Sequence, residues 1–301
     1  MLNGIHFLLT YTCLFECDHC FLYSGPRADG VFTREHMENI LADAAGMNGI
    51  EWIFFEGGEP FLYHPLLMDG IQSAASKGFQ TGIVTNAYWA TSEDDAALWL
   101  KPLRDLKLST LVVSDDTYHF GNEKDPITPA THAAAAAEKL GIPVSSICIE
   151  APVTDKDMGT DEKGEPVTGG GPKFKGRAAE KLTAGLSRVN CASCKACHHE
   201  ELEHPKRVHI DPFGNVHACQ GLIIGNTLDM PLSEIMSVYS VTSHPIIGPL
   251  VTGGPMLLAE MYKVKTEETY VDECHMCYEV RRALIDRFPR YLGPRQVYGL
   301  D

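Results

Sequence analysis

Apolar runs and segments of helical period alternate through the first half of the chain. Residues 5–12 (IHFLLTYT) read as a strand, and residues 33–48 (TREHMENILADAAGMN) as a helix with Thr33 at its N-cap. EWIFFE (51–56) is strand-like and precedes a helix around residues 65–77. QTGIVTN (80–86) precedes another at about 92–104, and STLVVSDD (109–116) another at about 128–140. VSSICIE (144–150) ends the series, with Cys148 read as a buried core thiol. Strands alternating with helices of this length predict right-handed βαβ units and a parallel sheet. In such sheets ligands bind on the loops at the C-terminal strand ends.

After Glu150 the pattern changes. Residues 151–176 are rich in Gly, Pro, Lys and Asp and read as a long connector or mobile lid. The run GGGPKFKG lacks the Gly-Lys-Ser/Thr ending and the preceding strand of a phosphate cradle. Residues 177–188 predict one more helix, followed by a cysteine-rich region (191–277) and a basic C-terminal helix and tail. Arg281, Arg282, Arg287, Arg290 and Arg295 in that tail read as a solvated helix face leading into a strap. No internal repeat is present.

With 301 residues, 44% hydrophobic and 22% charged, the chain has enough apolar material for a large α/β core. Its formal charge of −15 argues against nucleic-acid binding, which depends on basic surface. The apolar start, MLNGIHFLLTYTC, lacks a basic n-region and a cleavage site, and nothing in the sequence is long and apolar enough to span a bilayer. These features predict a cytoplasmic protein with no membrane partner. Ten cysteines in such a chain point to metal or redox chemistry in preference to a disulfide scaffold.

The topology rule gathers the chemistry-bearing residues on one rim. Cys13, Cys17 and Cys20 follow the first strand, and EGGEP (56–60) the second. Thr85 and Asn86 end the third strand, while Ser114, Asp115, Tyr118 and His119 follow the fourth. Thiolates spaced by four and three converge on one cluster face, and three ligands leave a metal position open for chemistry. A zinc site completed by His19 is the alternative.

The run Cys13-Leu-Phe-Glu-Cys17-Asp-His-Cys20, with Gly57-Gly58-Glu59-Pro60 downstream, resembles the radical S-adenosylmethionine (SAM) superfamily. The resemblance spans roughly residues 5–150 and implies a partial (β/α)6 TIM-like barrel. It also implies a 4Fe-4S cluster on Cys13, Cys17 and Cys20 whose open iron binds the amino and carboxylate groups of SAM. Gly57, Gly58, Glu59 and Pro60 would then meet the methionine ammonium: the glycines allow close backbone approach, and Glu59 supplies a countercharge. Thr85, Asn86, Ser114 and Asp115 match positions that line the SAM site. Tyr118 and His119 stand where a substrate would be, or are a plain surface pair.

Cys191, Cys194 and Cys197 have ferredoxin-like spacing. Gly214 followed by Cys219, then Ile-Gly-Asn (224–226) and Cys274-His-Met-Cys277, resemble the SPASM or twitch extension of radical SAM enzymes. That resemblance implies a barrel over residues 1–180 and a small auxiliary-cluster domain with its tail over 181–301. The auxiliary 4Fe-4S cluster would sit on Cys219, Cys274, Cys277 and one of Cys191, Cys194 or Cys197. Two clusters, or a zinc site using His198 or His199, are the alternatives.

The implied chemistry is an oxidoreductase reaction. An external one-electron donor such as flavodoxin or ferredoxin reduces the cluster, SAM is cleaved, and the 5′-deoxyadenosyl radical abstracts hydrogen. The auxiliary cluster favours oxidative outcomes: dehydrogenation, or carbon–sulfur or carbon–carbon bond formation. The expected substrate is a peptide or protein side chain. Strand one begins near Ile5, leaving no room for the N-terminal peptide-binding domain of several such enzymes. Small-molecule oxidation, or a non-catalytic iron–sulfur or zinc protein, are the other readings.

Overall fold

A computed structural model describes residues 2–120, 127–152, 163–167 and 169–300. Much of the expected connector (153–162 and 168) therefore lies outside the described residues. The first half runs β1 (Gly4–Thr10), α1 (Arg34–Ala45), β2 (Trp52–Gly57), α2 (His64–Ser76), β3 (Gln80–Thr85), α3 (Glu93–Asp105), β4 (Thr110–Ser114), α4 (Thr117–Phe120), α5 (Pro129–Leu140) and β5 (Val144–Ile149). The second half runs β6 (Gly169–Gly170), α6 (Arg177–Lys181), β7 (Val189–Asn190), β8 (Arg207–Ile210), β9 (Asn215–Cys219), β10 (Leu222–Asn226), α7 (Leu232–Val238), α8 (Ile247–Tyr262), β11 (Thr269–Tyr270) and α9 (Glu273–Leu284).

Nine strands form one sheet in the order β10-β9-β8-β1-β2-β3-β4-β5-β6. Strands β1 to β5 are parallel neighbours, as the alternation predicts. Strand β8 then pairs in parallel with the other side of β1, setting His209 opposite His6, and β9 and β10 continue antiparallel. Among the described residues β6 and β10 do not pair, so the sheet stays open.

Period-two alternation sorts the strand side chains. Ile5, Phe7, Leu9, Ile53, Phe55, Ile83, Leu111 and Val113 face the helices and pack against Met37, Leu41, Leu67, Ile71, Leu100 and Leu103. Burying each large side chain there contributes about 1.5–3 kcal/mol. His6, Phe54, Glu56, Val84, Val112 and Ser114 face the other way and line a cavity.

Local signals set the helix starts. Thr33 caps α1 by accepting from the His36 N–H at 3.2 Å, and Thr128 caps α5 by accepting from the Thr131 N–H at 3.2 Å. The helix expected over 177–188 is shorter. α6 ends at Lys181, because Leu182 leaves helical geometry and the chain turns through Gly185 at φ +78°.

Two further expectations need correction. Cys148 is exposed, because β5 is partly solvent-facing with only two-residue β6 beyond it. The C-terminal arginines do not all belong to a solvated face. Arg281 is buried in a second apolar cluster, donating to the Gln220 carbonyl at 3.0 Å and to the Tyr298 hydroxyl at 3.2 Å. The tail does act as a strap: Leu292 bridges to Leu222, and buried Tyr298 donates to the Gly221 carbonyl at 2.7 Å. No helix among the described residues is long and apolar enough to cross a membrane.

Candidate functional site

The cavity, about 420 Å³, collects the loops at the C-terminal ends of β1 to β5. Cys13, Cys17 and Cys20 share one wall. Arg177 fixes their loop by donating from Nε to the Cys17 carbonyl at 2.9 Å, and the Cys20 N–H closes a turn onto that carbonyl at 3.0 Å. Cys13 Sγ accepts from the Phe15 N–H at 3.4 Å and from Asn86 Nδ2 at 3.5 Å. Burial pushes the Cys13 thiol up to about 11 and the Cys17 thiol higher still, and the neighbouring Cys20 raises both. Without a cation Cys13 and Cys17 stay protonated; a bound metal or cluster is what would turn clustered thiols into ligands.

Gly57 and Gly58 meet the same loop. A Cβ at Gly57 would lie 2.4 Å from the Thr10 carbonyl oxygen, and one at Gly58 2.1 Å from that of Thr12. Only glycine permits this approach, and both residues line the cavity. Glu59 is fully buried and turned into the protein. Its Oε1 accepts from the Phe61 N–H at 3.0 Å and Thr85 Oγ1 at 2.8 Å, and its Oε2 from the Asn86 N–H at 2.8 Å. Burial raises its carboxyl to about 7 despite those donors. Glu59 thus ties the ends of β2 and β3 together, and Pro60 begins the 3-10 turn that follows.

Thr85, Asn86 and Ser114 line the cavity, but Asp115 does not; its Oδ1 accepts from Thr128 Oγ1 at 3.3 Å. His119 lines it, whereas Tyr118 packs on the His19 ring with centroids 4.8 Å apart. Asp116, which the sequence reading passed over in favour of Asp115, is buried in the cavity wall. It accepts from the Tyr118 N–H at 3.1 Å and pairs with His119 Nδ1 at 2.8 Å. Burial works to raise its carboxyl, but His119 and His19 hold it below the usual range. Burial brings His19 itself down to about 4.

Four other cysteines, Cys197, Cys219, Cys274 and Cys277, line a second, smaller pocket beside Lys175 and Arg281. Lys175 Nζ stands 3.5 Å from Cys219 Sγ, 2.8 Å from Gln220 Oε1 and 3.2 Å from Glu200 Oε1. Burial pushes the Cys197 thiol up to about 11 and Cys274 well above its ordinary value. Four thiols facing two buried cations suit an anionic cluster. Cys191 and Cys194 lie outside this lining: Cys194 is buried in the apolar cluster, and Cys191 sits beside Asn190. Lys175, His199 and Glu200 line both pockets.

His6, His209, Lys175 and Arg177 are cavity residues the sequence reading missed, and Glu56, which it set on the rim at the start of EGGEP, was given no role. The usable signal was period-two alternation: His6 shares a face with Leu8, and Glu56 with Phe54.

Residues 7–160, just over half the chain, match the family model of the radical SAM superfamily. YydG of Bacillus subtilis, named for peptide biosynthesis, is 26% identical over 107 residues, 36% of this chain and 34% of that protein. The tungsten-containing aldehyde ferredoxin oxidoreductase cofactor-modifying protein of Pyrococcus furiosus is 31% identical over 109 residues, 36% of this chain and 29% of that protein. The chain thus aligns with about a third of the length of these curated relatives. Two solved structures share the fold. BtrN in complex with AdoMet and 2-DOIA has a TM-score of 0.51 at 14% identity, over 78% of this chain and 82% of its own. anSMEcpe with bound AdoMet has a TM-score of 0.51 at 16% identity, over 96% and 97%. The chain belongs to the radical SAM superfamily, whose enzymes use a 4Fe-4S cluster and SAM.

Proposed function

We propose that this enzyme carries out an oxidative modification of a peptide or protein side chain, by dehydrogenation or by carbon–sulfur or carbon–carbon bond formation. Cys13, Cys17 and Cys20 would hold the SAM-binding cluster. When bound, that pair supplies reductive cleavage of SAM to methionine and a 5′-deoxyadenosyl radical, the hydrogen-abstracting species. Gly57 and Gly58 offer an open backbone edge to the methionine end of SAM, while Glu59 braces that edge from behind. Thr85, Asn86 and Ser114 complete the wall, with Asp115 shaping the loop behind it. His119, its Nδ1 engaged by Asp116, keeps Nε2 for a substrate proton, and Tyr118 supports the rings beside it.

The oxidative character is carried by one observation: four cysteines line a pocket that shares Lys175, His199 and Glu200 with the cavity. In this reading residues 1–180 form the radical SAM core, and residues 181–301 a SPASM/twitch-like region with its tail. Cys197, Cys219, Cys274 and Cys277 would hold an auxiliary 4Fe-4S cluster, which would supply an electron acceptor for the oxidation. Cys191 and Cys194 support the fold around it. A flavodoxin- or ferredoxin-like protein would serve as the external one-electron donor. Similarity to YydG supports the peptide substrate.

Anaerobically reconstituted protein is expected to contain about eight irons with matching sulfide. Cys17→Ala is expected to abolish 5′-deoxyadenosine formation, and Cys277→Ala to spare it while blocking product. About four irons, or unchanged product from Cys277→Ala, overturns the auxiliary role. Failure of peptides encoded beside the gene to bind overturns the peptide assignment.

A further inference from the structure

Three side chains on the cavity floor play no part in that chemistry. His6 on β1, Glu56 on β2 and His209 on β8 stand on adjacent strands. The registers explain their meeting: His6 lies opposite His209, and Glu56 opposite Leu8, two residues farther along the same face of β1. His6 Nδ1 is 3.1 Å and His209 Nε2 3.0 Å from a single atom, Glu56 Oε1. The donor atoms of all three residues lie within 4.8 Å of one another. His6 and His209 are only 6% and 7% exposed, yet all three residues line the cavity.

The charge balance is what sets this group apart. Among the described residues no Lys or Arg reaches Glu56; nearby Lys175 and Arg207 are both engaged by Glu200, at 3.2 and 3.4 Å. Both imidazoles crowd onto Oε1, and Oε2 takes no hydrogen bond among the described residues. A carboxylate this far withdrawn from solvent is stabilised by a compensating positive charge. Two imidazoles and one carboxylate with an open side form a donor set for divalent first-row metals. Donors bonded at about 2.1 Å in adjacent coordination positions stand about 3.0 Å apart, which matches the two contacts on Oε1.

We propose that His6, Glu56 and His209 form a binding site for a divalent first-row metal on the cavity floor, separate from both cysteine clusters. Its open positions face the cavity, where they would take an oxygen donor of the substrate, a carboxylate or carbonyl. The site does not depend on the reaction proposed above: loss of SAM cleavage would leave it untouched.

The test is a titration of the full chain, both clusters reconstituted, with Mn2+ alone, following the free-ion signal by electron paramagnetic resonance. One bound Mn2+ per chain is expected. Glu56→Gln and His209→Ala should each weaken it by about tenfold or more, with iron content and the cluster absorption spectrum unchanged. Pulsed resonance on the unmodified protein should show imidazole nitrogens coupled to the bound ion, a readout that needs no variant. Absence of Mn2+ uptake, uptake surviving both substitutions, or a bound ion without nitrogen coupling overturns the proposal in favour of a hydrogen-bonded triad.

Discussion

At Gly58 a single methyl group would collide with the cysteine loop. A Cβ there would sit 2.1 Å from the Thr12 carbonyl oxygen and 2.6 Å from its carbon, and backbone cannot yield as a flexible side chain does. Thr12 directly precedes Cys13, so the strain falls on the first proposed cluster ligand. Gly58→Ala is expected to destabilise the protein by about 1–3 kcal/mol and to lower iron incorporation on reconstitution. Thermal unfolding and iron analysis check both outcomes. The pair Gly57-Gly58 was legible in the sequence as a place of close approach, but what it approaches was not. Glu59 shows the same limit. Its acidity suggests a countercharge facing the cavity, while three donors from β3 and its own turn hold it inward.

Among the elements, α8 depends on a histidine to begin. His244 Nδ1 accepts from the Ile246 and Ile247 N–H groups at 3.2 and 3.0 Å, and its Nε2 contacts the Ile223 carbonyl of β10 at 2.9 Å. That arrangement requires the neutral ring with its proton on Nε2, and burial lowers the pKa of the ring. The unfolded chain therefore binds this proton more readily than the folded one. Stability from His244 is complete above the unfolded value of about 6.5 and is lost as pH falls below it. His244→Gln is expected to melt lower than the native protein at neutral pH, and to show a shallower fall in Tm between about pH 7 and 5. Parallel melting curves across that range would refute the role. Nothing local in the sequence announced this cap. Thr33 and Thr128, by contrast, sit ahead of regular helical periods and were legible as starts. Late Cys274 and Cys277 fall three apart at the start of α9, so the helix itself puts both thiols on one face.

Across the described residues, the two largest apolar clusters share one sheet. The larger lies under the helices of β1 to β5; the other gathers α8, α9 and the C-terminal strap around the four-cysteine pocket. Buried Lys175 and Arg281 border that pocket, and thiolates holding a cluster would supply the anionic partners they face. Reconstituted protein is therefore expected to melt about 5 °C or more above the cluster-free protein, since ligands binding only the folded state stabilise it. Calorimetry before and after reconstitution makes the comparison, and equal melting temperatures would argue against a cluster in that pocket.

The first half of the fold was written locally. Its strands and helices are long enough, and its turns and caps plain enough, for periodicity to reveal a parallel α/β sheet, and two motifs on one rim named the superfamily. The second half was not, because β8 to β10 are four or five residues each and gain their meaning only by joining the edge of β1. That pairing crosses about two hundred residues of chain, a separation no local pattern encodes. It sets His209 against His6. The same three-dimensional packing brings Cys197, but not Cys191 or Cys194, into the four-cysteine pocket and turns Arg281 inward. The sequence determined which chemistry the protein carries, because ligand types and spacing are covalent facts. Which residues meet across the sheet depends on long-range burial and register, and only the tertiary structure decides that.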